Sequence, residues 1–66
     1  MTSNELRESL RKEWPADFRD GAKRGFRGDH LYPSGFTQWP IERRNAWFAG
    51  FNVGYCDRKK SYANVG

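Results

Sequence analysis

Cysteine is almost absent from this 66-residue chain, and Cys56 alone excludes an internal disulfide and a cysteine cluster for zinc. That usage suits a reducing compartment. Histidine is equally scarce: His30 has no companion to share a metal and no partner for general-base work, so a surface position is expected. No hydrophobic run approaches the length needed to span a bilayer. The opening MTSNELRESL carries no apolar signal core. A cytoplasmic, soluble protein without membrane association is the expectation. Enzyme features are also missing. No glycine-rich run leads into Gly-Lys-Ser/Thr, so a nucleotide-phosphate cradle is unsupported. Asp17 and Asp20 lie one helical turn apart, where paired carboxylates usually face solvent, and Cys56 beside Asp57 reads as inert and partly buried. Neither a catalytic residue, a cofactor nor a metal is predicted.

What the chain does have is rings, glycines and positive charge. A chain this short forms one domain, residues 1–66, and buries only about 60% of its extended surface. The three Trp, three Tyr and five Phe compensate in part, because each ring buries a large apolar area. The net charge of +4 is uneven. Residues 1–20 hold four basic and five acidic side chains, whereas residues 21–66 hold eight basic and three acidic ones. A basic, aromatic-rich segment suits an anionic partner, nucleic acid first.

Prolines divide the chain. Residues 1–14 form an amphipathic segment, with caps available at Thr2, Ser3 and Asn4, a Leu6–Leu10–Trp14 strip, and Glu8 placed to pair with Lys12. Pro15 starts a helix easily and interrupts one badly, so a break is predicted at Trp14–Pro15. The next helix, Pro15 to Arg27, spaces Phe18, Ala22 and Phe26 by four and ends at Gly28–Asp29. A loop, Asp29 to Pro40, follows. Its Leu31, Tyr32, Phe36 and Trp39 are expected to fold back over the helices, the alternative being an exposed platform for bases. Ile41 to Arg58 forms the second long helix, with Trp47, Phe51 and Tyr55 on one face and Gly50 and Gly54 on an adjacent row. Residues 61–66 read as a flexible tail.

Glycine weakens helices, so Gly21, Gly25, Gly50 and Gly54 need a reason. A helix–helix seam supplies one, since a missing side chain allows closer backbone approach, the alternative being a frayed or broken helix. Trp47, Phe51, Phe18 and Phe26 are the predicted core. The fold class that results is all-α: a small two-helix hairpin with a structured aromatic loop, plus a short N-terminal helical segment. Lys23, Arg24, Arg27, Arg43, Arg44, Arg58, Lys59 and Lys60 are the candidate nucleic-acid contacts. Phosphate contacts of this kind position a ligand without reading its sequence.

The order of these positions resembles the ribosome modulation factor family, small bacterial proteins of ribosome hibernation. Gly21, Gly25 and Gly28 match its GxxxGxxG segment, and Pro33 matches the proline of its Cys-Pro-Tyr loop. Arg44, Trp47, Gly50 and Phe51 match its RxxWxxGW segment. The resemblance covers about Phe18 to Asp57, inside a core of residues 15–58. Tyr32, Ser34 and Phe51 depart from the family's usual cysteine, aromatic residue and second tryptophan. The resemblance implies two helices joined by a structured loop. It also implies binding to ribosomal RNA of the small ribosomal subunit, near the messenger exit, with translation blocked. The competing expectation is a phage- or plasmid-encoded inhibitor or adaptor of the same fold. It would dock a protein, or a second copy of itself, through Leu6, Leu10 and Trp14.

Overall fold

Thr2 opens the first helix. Its hydroxyl accepts a hydrogen bond from the Glu5 N–H at 3.2 Å, satisfying one of the free donors of a helix start. A computed structural model describes residues 2–65, with the side chains of Ser3 and of residues 61–65 outside the description. It is all-helical, with no strand among the described residues. Helix α1 spans Ser3–Glu13, α2 Pro15–Arg27 and α3 Ile41–Val65, and a single 3-10 turn, Phe36–Gln38, lies in the α2–α3 loop.

The chain breaks where proline demands it. Trp14 adopts φ −131° and ψ 61°, outside the helical region that a following proline disfavours. Pro15 then takes the first position of α2, where its missing N–H costs nothing. Along α1, Glu8 pairs with Arg11 at 3.9 Å. At the other end of α2, Gly28 turns the chain with φ +74°, and its N–H and that of Asp29 satisfy the Gly25 and Arg24 carbonyls.

Helices α2 and α3 meet along the glycines. Gly21 and Gly25 lie against the Trp47 and Phe51 carbonyls, while Gly50 and Gly54 lie against those of Phe18 and Ala22. Each glycine therefore aims a hydrogen at a carbonyl of the other helix, the arrangement of a Cα–H···O contact. A Cβ on Gly50 would stand 2.8 Å from the Phe18 carbonyl carbon, and one on Gly25 3.0 Å from that of Phe51. The expected seam exists, and it is reciprocal.

Its direction corrects the expected hairpin. Asp17 meets Arg43 at 2.8 Å near the start of both helices, and Arg58 reaches the Phe26 carbonyl near the end of α2. The two helices thus run the same way. Thirteen α2 residues rise about 20 Å, so the loop must travel back along the pair before α3 begins. Backbone and side-chain bonds hold it on the way. Asp29 Oδ1 accepts from the Leu31 N–H at 3.0 Å, Arg24 Nη1 donates to the Leu31 carbonyl at 3.1 Å, and the Phe36 N–H donates to Pro33 at 3.1 Å.

The core is small. Trp47 is 1% exposed and Ala46 0%, and Phe18 and Phe36 are the other buried apolar side chains among the described residues. Phe36 arrives from the loop and packs its ring 5.2 Å from Trp47 and 5.3 Å from both Trp39 and Phe48. Two expected core residues stand further out: Phe51 is half-buried and Phe26 is 49% exposed. The molecule measures 40 × 30 × 14 Å. Its thin dimension leaves little beyond a single layer of helices, so several rings can be covered on one side only. Helix α1 packs against both α2 and α3, and Arg11, Phe18 and Val53 line one crevice where the three meet. Helix α3 continues as backbone through Val65, past the expected end at Arg58, while Gly66 and the side chains of 61–65 lie outside the described residues. Between Asp57 and Val65 no glycine or proline interrupts the helix.

Candidate nucleic-acid interface

The two α2 carboxylates decide which cations are committed to the fold. Asp17 is largely buried and accepts two bonds from the Arg43 guanidinium, at 2.8 and 3.3 Å. The same guanidinium lies over Trp39 with its carbon 3.5 Å from the ring centre. Arg43 therefore ties the start of α3 to α2 and clamps the loop end, using the fork geometry and flat stacking that arginine provides. One turn later Asp20 Oδ2 accepts from both Trp47 Nε1 at 3.0 Å and Arg24 Nε at 3.1 Å. Arg24 further faces Asp29 at 3.7 Å. Asp17 and Asp20 were expected to face solvent. Asp17 is instead largely buried under Arg43, while Asp20 keeps 43% of its side chain open and turns Oδ2 to the buried indole N–H of Trp47, which requires an acceptor.

The predicted contact residues consequently divide. Arg24 and Arg43 are engaged in structural pairs, and Arg58 Nη1 donates to the Phe26 carbonyl at 3.4 Å beside Gly28. Arg44 is half-buried, and its Nε lies below the surface without a hydrogen-bond partner. Lys23, Arg27, Lys59 and Lys60 are exposed. Lys59 Nζ sits 4.9 Å from the Tyr55 ring centre, a cation–π placement.

Sequence reasoning missed Arg19. It stands one turn before Lys23 and two before Arg27, so the three cations share the outer side of α2. With Ala22 and Phe26 they line a shallow depression of about 450 Å³. The spacing of four between Arg19, Lys23 and Arg27 was the available signal. Successive charges there rise by about 6 Å along the helix. The row has positive heads, an apolar floor and solvent above it, which suits anionic groups repeated along a chain.

A second feature faces the loop. His30, Tyr32, Trp47, Phe48 and Phe51 surround a cleft of about 100 Å³. His30 is exposed, as expected, with its ring 5.4 Å from Phe51 and 6.5 Å from Tyr55. Tyr32 stacks on Phe36 at 4.9 Å and 6° while remaining largely open to solvent. Of the loop rings, Phe36 folds back and closes the core, while Tyr32 stays exposed.

On α1, Leu10 and Trp14 are half-buried and Leu6 is exposed, so much of the strip assigned to a partner is turned toward the chain itself. Cys56 is exposed, contrary to the expected partial burial. Among the described residues no group of three or more His, Cys, Asp or Glu is placed to hold a metal ion, and no helix is long and apolar enough to cross a membrane. Comparison with protein-family models, with curated proteins and with solved structures finds no match to this chain.

Proposed function

We propose that this protein binds ribosomal RNA on the small ribosomal subunit in the cytoplasm and down-regulates translation as a hibernation-type factor. Its mechanism is steric occlusion and not catalysis. The observation that carries the reading is the exposed row Arg19–Lys23–Arg27 beside an open Phe26. These cations are free of the carboxylates that hold Arg24 and Arg43, so they can exchange solvent for phosphate without dismantling the fold. Lys59 and Lys60 are further exposed cations on the later part of α3. Gly21, Gly25, Trp47 and Gly50, which carry the resemblance to the ribosome modulation factor family, also pack the helix–helix seam.

Co-sedimentation with purified small subunits tests the proposal. Association at low salt that weakens steeply as salt rises is expected, because phosphate contacts release counterions. The double substitution Lys23→Gln/Arg27→Gln should reduce the slope of log affinity against log salt by roughly 1.4 to 1.8. Absence of association at low salt sinks the ribosomal reading. Capture from lysate with and without nuclease separates it from the adaptor reading, in which a protein would remain bound after nuclease treatment.

A further inference from the structure

The ring-lined cleft between the loop and α3 leaves aromatic surface open to solvent. Its floor is Trp47, which is closed to solvent, but Tyr32, Phe48 and Tyr55 around and beyond it leave 59, 40 and 37% of their surfaces exposed. Every residue lining the cleft carries a ring, and no carboxylate lines it. Tyr32 and Phe48 meet edge to face at 5.9 Å and 85° on the rim. From Phe51 the ring track continues to Tyr55, 6.4 Å away and within 11° of parallel, and ends under the Lys59 ammonium. Phe48 to Lys59 covers eleven residues of helix, roughly 16 Å. The track is therefore long enough for a short stretch of extended strand, and a cation stands at its end.

We infer that this track binds unpaired RNA nucleotides by stacking their bases on Tyr32, Phe48 and Tyr55, with Lys59 taking a backbone phosphate. The chemistry of the lining selects this occupant. Each of these three rings keeps part of its surface open, and an aromatic ring stacks on a base of any identity. The His30 nitrogens and the Tyr32 and Tyr55 hydroxyls offer polar groups near those faces. The excess of basic over acidic side chains after residue 20 favours an anionic ligand over a neutral one. The inference rests on the RNA-binding reading above and sharpens it. The α2 row supplies contacts indifferent to pairing, while the ring track demands bases free of a duplex, which a helical RNA keeps stacked inside.

The test uses the full chain, a labelled single-stranded RNA octamer and an RNA duplex of matching length, with binding read by anisotropy at low salt. Wild-type protein should prefer the single strand. Phe48→Leu and Tyr55→Leu keep apolar bulk and remove the ring face, and each should weaken single-strand binding roughly five- to ten-fold. Duplex affinity should stay unchanged in both. As a readout independent of the variants' folding, base protons of the octamer bound to wild-type protein should move upfield through ring currents. Folded leucine variants that bind the single strand like wild type overturn the inference, as does a bound octamer whose base protons do not shift. In either case, RNA binding that still depends on Lys23 and Arg27 leaves the broader reading standing. No RNA binding by wild type at low salt overturns both.

Discussion

Gly50→Ala tests the seam by sign as well as by size. At an ordinary exposed helical site, replacing glycine with alanine stabilises by about 1 kcal/mol through helix propensity. At Gly50 the new methyl would lie 2.8 Å from the Phe18 carbonyl carbon and 3.1 Å from its Cα, where ordinary contact begins near 3.4 Å. The obstructing atoms are backbone and cannot rotate aside as a side chain would. The helices must separate, and the neighbouring contacts at Gly21, Gly25 and Gly54 loosen with them. Overpacking of this kind costs about 1–3 kcal/mol, and the rigid backbone places it at the upper end. Subtracting the propensity gain leaves a net loss of about 2 kcal/mol. For a domain of this size that corresponds to a melting point lower by about 8–16 °C. Circular dichroism at 222 nm reports the transition, with Asn52→Ala on an exposed position of α3 as the control expected to melt at or slightly above wild type. Gly50→Ala melting at or above wild type would refute the close-packed seam. Combining Gly50→Ala with Gly21→Ala should cost less than the sum, because the first methyl already separates the helices.

Two further expectations concern the carboxylates. Asp20→Ala removes the acceptor shared by Trp47 Nε1 and Arg24 Nε, and should destabilise by about 1–3 kcal/mol. Asp20→Asn, which retains an oxygen, should recover part of that loss in urea unfolding. Arg43→Lys keeps the charge but loses the fork on Asp17 and the stacking on Trp39, at a cost of about 1 kcal/mol. A double-mutant cycle with Asp17→Asn should show coupling, and additive effects would assign Arg43 no specific role.

The local elements were legible because their causes are local. Period-four repeats of apolar residues mark α2 and the second to fourth turns of α3, Pro15 cannot continue α1 without breaking a bond, and Gly28 accepts the positive φ that ends α2. Glycine rows on both long helices pointed either to a close approach or to a frayed helix, and the structure decides for the approach. They could not announce its direction, since a row of small residues admits a neighbouring backbone from either end. The same blindness affected the rings. Phe26 and Phe36 are equally apolar, yet the returning loop carries Phe36 onto Trp47, and α2 leaves Phe26 outside. Of the candidate contacts, composition could count the cations but could not tell which were already spent.

Helical class and segment breaks therefore belong to the sequence by itself, because propensity and capping act within a few residues. The seam, the parallel course of α2 and α3, the core position of Phe36, and the division of cations into clamps and an outer row were decided by tertiary structure. Each depends on groups far apart in the chain. Asp17 and Arg43 are separated by 26 residues, and their bond forms only because the loop brings them together. Once that bond, and the one between Asp20 and Trp47, have claimed the carboxylates of α2, Arg19, Lys23 and Arg27 are left facing water along its outer side.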